Sequence, residues 1–114
     1  MSAITTHILD TTTGLPGVGI PVVLERKTHA SGWQAIAEGI TDTDGRAKDL
    51  LPPTEAFLPG HYRFVFDTAA YFSMRGIECF FPLVTVGFVV KDIAQHYHVP
   101  LLLSPFGYST YRGS

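Results

Sequence analysis

His61-Tyr62-Arg63-Phe64-Val65-Phe66 sets three aromatic rings on one side of an extended chain, with Arg63 on the other. Successive side chains of a strand point to opposite faces, so this hexapeptide reads as a β-strand with one buried face. The same period of two recurs in both directions along the chain. Toward the N-terminus, Ile20, Val22 and Leu24 share one face of a strand, and Glu25 and Lys27 take the other. Trp33 to Ile40 alternates Gln34 and Glu38 against Trp33, Ala35 and Ala37. Ala3 to Asp10 is the first strand, and Arg46 to Leu51 can form a short one. Toward the C-terminus, Leu83 to Val90 is β-branched and aromatic and reads as a core strand. Tyr97 to Leu103 and Tyr108 to Arg112 follow. Thr68 to Arg75 lacks the alternation and predicts a short helix. The connections carry turn chemistry: a loop over Thr11 to Gly17, turns at His29-Ala30-Ser31-Gly32 and at Thr41 to Gly45 ending in Asp-Gly, and a longer loop from Pro52 to Gly60. Many short strands with spaced turns predict an all-β, antiparallel sandwich or barrel, with residues 1–114 as one domain.

Composition bounds the function. Of 114 residues, 46% are hydrophobic and only 16% charged, which supplies a core and excludes a disordered chain. A formal charge of −2 speaks against nucleic acid as a partner, because phosphate binding needs a basic face. So little charge on a small chain also hints that a partner subunit covers apolar surface. The longest apolar stretch, Leu83 to Val90, is too short to span a bilayer, so no membrane role is expected. Cys79 is the single cysteine. It excludes an intrachain disulfide and a multi-cysteine metal site, reads as a small buried hydrophobe, and suits a reducing compartment. Met1 to His7 carries no basic and apolar leader, so the expected location is cytoplasmic.

Five histidines are present. His29 and His61, at a turn and a strand start, read as solvent-exposed. His7 lies inside the first strand and shares a face with Thr5 and Leu9, opposite Ile4 and Ile8. If the isoleucines face the core, His7 points outward to solvent or an interface. In His96-Tyr97-His98 both imidazoles lie on one face. Three readings stay open at this point: a polar sheet edge, acid–base work near neutral pH, and a metal site completed by His7. Arg46 follows the Asp44-Gly45 turn. Alone it is a solvated charge; beside a histidine it would disfavour imidazolium and offer a bidentate donor to a carbonyl or anionic oxygen. The tail from Ser104 to Ser114 is aromatic where chain ends usually fray, and Tyr108 and Tyr111 suit a packed or ligand-lining terminus. No phosphate loop, nucleophile elbow or close acidic pair occurs.

These residues carry a resemblance. Tyr111-Arg112-Gly113-Ser114 is similar to the C-terminal signature of the 5-hydroxyisourate hydrolases, the transthyretin-related enzymes of urate breakdown. His7-Ile8-Leu9-Asp10 with Thr13-Gly14-Leu15-Pro16 resembles the family's N-terminal motif. Asp42-Thr43-Asp44-Gly45-Arg46 resembles its arginine turn, and His96 through Pro105 its histidine strand. The four blocks run from end to end of the chain. Two departures stand out: Gly17, where many members have alanine, and Leu83, where an acidic residue is frequent.

The resemblance implies a two-sheet antiparallel prealbumin-like (transthyretin-like) sandwich of about eight strands with one short helix. It implies a homotetramer, a dimer of dimers, with sites in a channel at the subunit interface. The implied reaction is hydrolysis of a cyclic amide of 5-hydroxyisourate to 2-oxo-4-hydroxy-4-carboxy-5-ureidoimidazoline in purine catabolism, without metal or organic cofactor. The family's functional positions fall on His7, Arg46, His98, Tyr111 and Ser114. In that reading His98, kept neutral beside Arg46, takes the proton of the attacking water, and Ser114 helps hold the water. His7 and Arg46 orient substrate and steady the carbonyl oxygen, and Tyr111 lines the pocket. Arg112 is expected to fix the tail, and His96 is given no catalytic part. Two other classes remain as alternatives: a non-enzymatic transthyretin-like small-molecule carrier, and a metal-binding protein using His7, His96 and His98.

Overall fold

A computed structural model describes residues 3–29 and 32–114. The turn expected at His29 to Gly32 therefore has Ala30 and Ser31 outside the described residues, as are Met1 and Ser2. The chain runs β1 (Ile4–Asp10), β2 (Leu15–Pro16), β3 (Pro21–Thr28), β4 (Gly32–Ile40), β5 (Arg46–Ala47), β6 (Gly60–Phe66), α1 (Thr68–Met74), β7 (Val84–Val90), β8 (Tyr97–Ser104) and β9 (Gly107–Thr110). Two sheets form. One has the order β2-β1-β8-β9, with β5 also pairing β1; the other has the order β4-β3-β6-β7. The pairings are antiparallel except β1 with β8, which run parallel with Thr5 opposite His98. Among the described residues no helix is long and apolar enough to cross a membrane.

The faces predicted from alternation are the buried ones. Tyr62, Phe64 and Phe66 are completely buried in one core cluster with Val22 and Leu24 of the neighbouring β3, Ile20 just before it, and Ile4 and Ile8 of the other sheet. Each such side chain contributes about 1.5–3 kcal/mol by leaving water. Phe88 of β7 stacks on both Tyr62 and Phe64, with centroids 5.9 and 5.6 Å apart. Asp67 caps α1 by accepting the Ala70 N–H at 3.1 Å, which ends β6 and starts the helix at Thr68.

Four expectations need correction. Leu83 to Val90 is not a core strand: β7 is a sheet edge that buries Val84, Val86 and Val90 and leaves Leu83 and Val89 exposed. A run apolar on both faces looks interior from sequence, but only one face meets the other sheet. The strand after Gly32 does not keep Ala35 on the face of Trp33. A bulge opposite Leu24 and Glu25 shifts the phase, so Ala35 is exposed while Ile36 and Ala37 pack on the core. The fourth short strand ends at Ala47, after which the chain turns through Asp49, held at a positive φ of 53°. Leu15–Pro16, inside the expected loop, pairs with Leu9 and Asp10 as a two-residue strand.

Candidate functional site

The site grows from the outer face of β1. Ile4, Thr6, Ile8 and Asp10 point inward, which leaves Thr5, His7 and Leu9 on the other side, as the alternation predicts. Arg46 is brought to His7 by the Asp-Gly turn. Gly45 has φ +76°, and a Cβ there would lie 2.5 Å from the Ile8 carbonyl oxygen, so only glycine lets the turn lie on β1. Its own carbonyl accepts the Ile8 N–H at 2.8 Å, and β5 then sets Arg46 opposite His7. Asp42 stiffens this turn. Its carboxylate accepts the backbone N–H groups of Asp44 (2.9 Å) and Arg46 (3.0 Å), and the Arg46 N–H is the main cause that holds its pKa below the ordinary value.

His98 comes from β8 on the other side of β1. Its Nδ1 lies 2.8 Å from Thr5 Oγ1, and the same hydroxyl lies 3.0 Å from His96 Nε2. No protein hydrogen bond among the described residues engages His98 Nε2. The tail folds back along β8: Gly113 donates its N–H to the His98 carbonyl at 2.8 Å. A Cβ on Gly113 would lie 2.6 Å from Cδ2 of the His98 ring, so the glycine leaves the space the imidazole occupies. Arg112 holds the tail from outside, its guanidinium 4.5 Å over the Tyr97 ring and 2.9 Å from Gln95 Oε1.

A cavity of about 640 Å³ lies along this face, lined by Thr5, Thr6, Arg46, Lys48, Asp49, His96, His98 and Ser114. Partial burial holds the His98 pKa below its ordinary 6.5; the positive charge of Arg46 adds to this, then His7 and His96, against an opposing hydrogen bond that the ring donates to the Thr5 backbone. A neutral imidazole with one free nitrogen beside a guanidinium can take a proton from water while the cation steadies an oxyanion.

The cleft thus brings together Arg46, His98 and Ser114. His7 borders it through the β1–β5 register without lining it. Tyr111 does not reach it: it lines an adjoining cavity of about 260 Å³ with Val86, Phe88 and Val99, and His98 lies between the two. His29 and His61 are exposed, and Cys79 is half-buried against the core. Among the described residues no three His, Cys, Asp or Glu side chains gather as a metal-holding group, and His7 does not join His96 and His98. Thr5, Lys48 and Asp49 were not singled out by sequence. For Thr5 the available signal was its place on the face of His7.

Comparison with known proteins matches residues 4–113 to the HIUase/Transthyretin family. A 5-hydroxyisourate hydrolase of Salmonella dublin is 51% identical over 108 residues, covering 95% of this chain and 78% of that protein. Among solved structures, sea bream transthyretin in complex with thyroxine superposes with a TM-score of 0.91 at 34% identity, covering 98% of this chain and 95% of that one. Klebsiella pneumoniae 5-hydroxyisourate hydrolase gives a TM-score of 0.82 at 34% identity, covering 97% and 98%.

Proposed function

From the premise that the chain belongs to the HIUase/Transthyretin family, we propose that it works as the enzyme of that family and not as the carrier. It hydrolyses 5-hydroxyisourate in urate degradation, as its 51%-identical relative is named for doing. The backbone cannot decide between the two activities, since the carrier superposes at least as well as the hydrolase. The observation that carries the reading is the cleft: a part-buried histidine whose pKa is held down, with one nitrogen free of protein partners among the described residues, next to Arg46 and a serine.

In the proposed mechanism, substrate enters with its scissile carbonyl toward Arg46 and His7. His98 Nε2 takes a proton from water held against Ser114 as the water oxygen attacks the carbonyl carbon. Arg46 stabilises the oxyanion. The amide C–N bond then breaks, and the proton on His98 passes to the leaving nitrogen, which regenerates the neutral base. Tyr111 holds the substrate ring from the adjoining cavity. Neither a metal nor an organic cofactor is needed for these steps.

The working form is a homotetramer, a dimer of dimers. Support comes from the free edge of β7 with Leu83 and Val89 exposed, and from the exposed Phe80, Phe106, Tyr108 and Tyr111. Sites at a subunit interface would bring a second chain to the open cleft. Residues 1–114 act as one domain around one core cluster, and the lone Cys79 suits the cytoplasm.

The test is the near-ultraviolet absorbance decay of freshly generated 5-hydroxyisourate, with and without protein. Acceleration that disappears when Tyr111 to Ser114 are removed supports the reaction and the tail's part in it. No acceleration by folded protein overturns the enzyme reading and favours the carrier.

A further inference from the structure

The hydroxyl of Thr5 sits between two imidazoles, 2.8 Å from His98 Nδ1 and 3.0 Å from His96 Nε2. A hydroxyl has one proton, so it donates to one ring and must accept from the other. We propose that Thr5 is a positioning residue for the hydrolysis: with His96 as its second partner, it decides which nitrogen of His98 carries the proton. The proposal rests on the reading above that His98 is the base.

A neutral imidazole carries one N–H. For Nε2 to take a proton from water, the hydrogen must be on Nδ1. His98 Nδ1–H then donates to Thr5 Oγ1, and Thr5 O–H donates to the lone pair of His96 Nε2. In the opposite polarity Thr5 donates to His98 Nδ1, the hydrogen moves to Nε2, and the basic lone pair is lost from the cleft. Three observations favour the first arrangement. Thr5 is opposite His98 in the parallel register, which fixes Oγ1 against Nδ1 and leaves Nε2 without a protein partner among the described residues. The tail lies along this strand, Gly113 donating its N–H to the His98 carbonyl at 2.8 Å, so the backbone that carries the ring is tied on both sides. His96 Nε2 lies within reach of the Thr5 hydroxyl at 3.0 Å, and its backbone carbonyl is 3.4 Å from Arg112 Nη2, so a second partner for the Thr5 proton is in place. The charged and titratable groups facing this trio are His7 and Arg46 from β1 and β5, Lys48 and Asp49 across the cleft, and Arg112 from the tail. The cations among them favour an uncharged His98 and leave its tautomer to the hydroxyl.

The experiment uses the full chain and the variants Thr5→Val, Thr5→Ser and His96→Ala. Thr5→Val removes the hydroxyl at nearly constant shape. The expected result is a kcat lower by about 10- to 100-fold with KM changed less than about twofold, and kcat restored to within about twofold in Thr5→Ser. His96→Ala should lower kcat by a smaller factor, and add nothing further when placed on Thr5→Val, because both remove one chain of bonds. Long-range proton–nitrogen correlation spectra read the tautomer directly: the His98 proton on Nδ1 in the wild type, shared between both nitrogens in Thr5→Val and His96→Ala. Wild-type kcat in Thr5→Val, fully multiplicative effects of the two substitutions, or a wild-type proton on Nε2 in an active enzyme would each overturn the inference. If Thr5→Val does not fold, His96→Ala and the wild-type spectrum decide. Wild-type protein that does not hydrolyse substrate overturns the functional reading and, with it, the catalytic role of Thr5.

Discussion

Strand β1 carries a polar cluster at each end, and the two are built to opposite purposes. At the C-terminal end, on the inward face, the buried Asp10 carboxylate accepts the N–H groups of Thr12 and Thr13 and the hydroxyl of Tyr71 at 2.7 Å. Both carboxylate oxygens have donors, and Arg75 closes the assembly 3.7 Å over the Tyr71 ring. At the N-terminal end, on the outward face, Thr5 ties His98 by one nitrogen and leaves the other facing a cleft. A saturated cluster pins α1 to the sheet and has no capacity left for chemistry. An unsaturated one costs rigidity and offers a lone pair. On one strand the same kinds of polar atom serve stability or reaction according to whether the last hydrogen bond is made.

The sharpest way to break this comparison is at His98. His98→Asn should lower kcat by about 10²- to 10⁴-fold, the usual worth of a positioned base, while the thermal midpoint stays within a few degrees of wild type. Normal turnover by the folded variant would remove His98 as base. The mirror experiment is Tyr71→Phe. It leaves an oxygen of the buried Asp10 carboxylate without its donor and should cost about 1–3 kcal/mol in chemical denaturation, with kcat unchanged. A kcat loss as large as that of His98→Asn would mean that the two ends are coupled.

A third, smaller effect follows from pH. Burial, then the bond to Asp10, pushes the Tyr71 pKa up to about 12 from 10.0. The folded state thus holds this proton where the unfolded chain releases it. Its stability contribution is complete below pH 10 and falls as pH rises from 10 toward about 12. Denaturation midpoints of wild type should drop across that window more steeply than those of Tyr71→Phe. Smallest is the electrostatic tuning of the other end. His98 is held below 6.5 mainly by burial and next by Arg46. In Arg46→Gln the residual activity should therefore lose its acid limb at higher pH than wild type, and the His98 ring should titrate higher by NMR. An unmoved or downward-shifted titration would show that Arg46 does not act on His98.

The uneven legibility of the two ends has a physical cause. Period-two alternation assigns faces, so the buried rings of β6 and the outward face of His7 were readable from the residues alone. Family resemblance gave Arg46, His98 and Ser114, which the cleft gathers, and also Tyr111, which lines the adjoining cavity. Alternation does not say which strand lies next to which. The edge position of β7, the parallel neighbour of β1, and hence the meeting of Thr5 with His98 were all invisible to it. The phase shift at Ile36 was hidden because a bulge inserts one residue without changing composition. The Asp10–Tyr71 pair joins a strand to a helix across 61 residues and leaves no local signal. Gly17, one of the two departures from the family pattern, has a packing reason: a Cβ there would lie 2.8 Å from Ile8 Cγ2 and 3.0 Å from Ile20 Cδ1.

The parallel pairing of β1 with β8 also bears on how the molecule comes into being. Thr5 and His98 are 93 residues apart, so β1 leaves the ribosome long before its neighbour exists. Until then β1 can pair only with the short β2 and β5, and the growing chain presents the edge that β8 will cover, with Ile4 and Ile8 lacking their β8 neighbours. Closing so long a loop is slow, and mixed or all-β topologies with distant pairings fold on the millisecond-to-second scale. The catalytic face is accordingly a late product of folding, assembled when the last strands dock on the first.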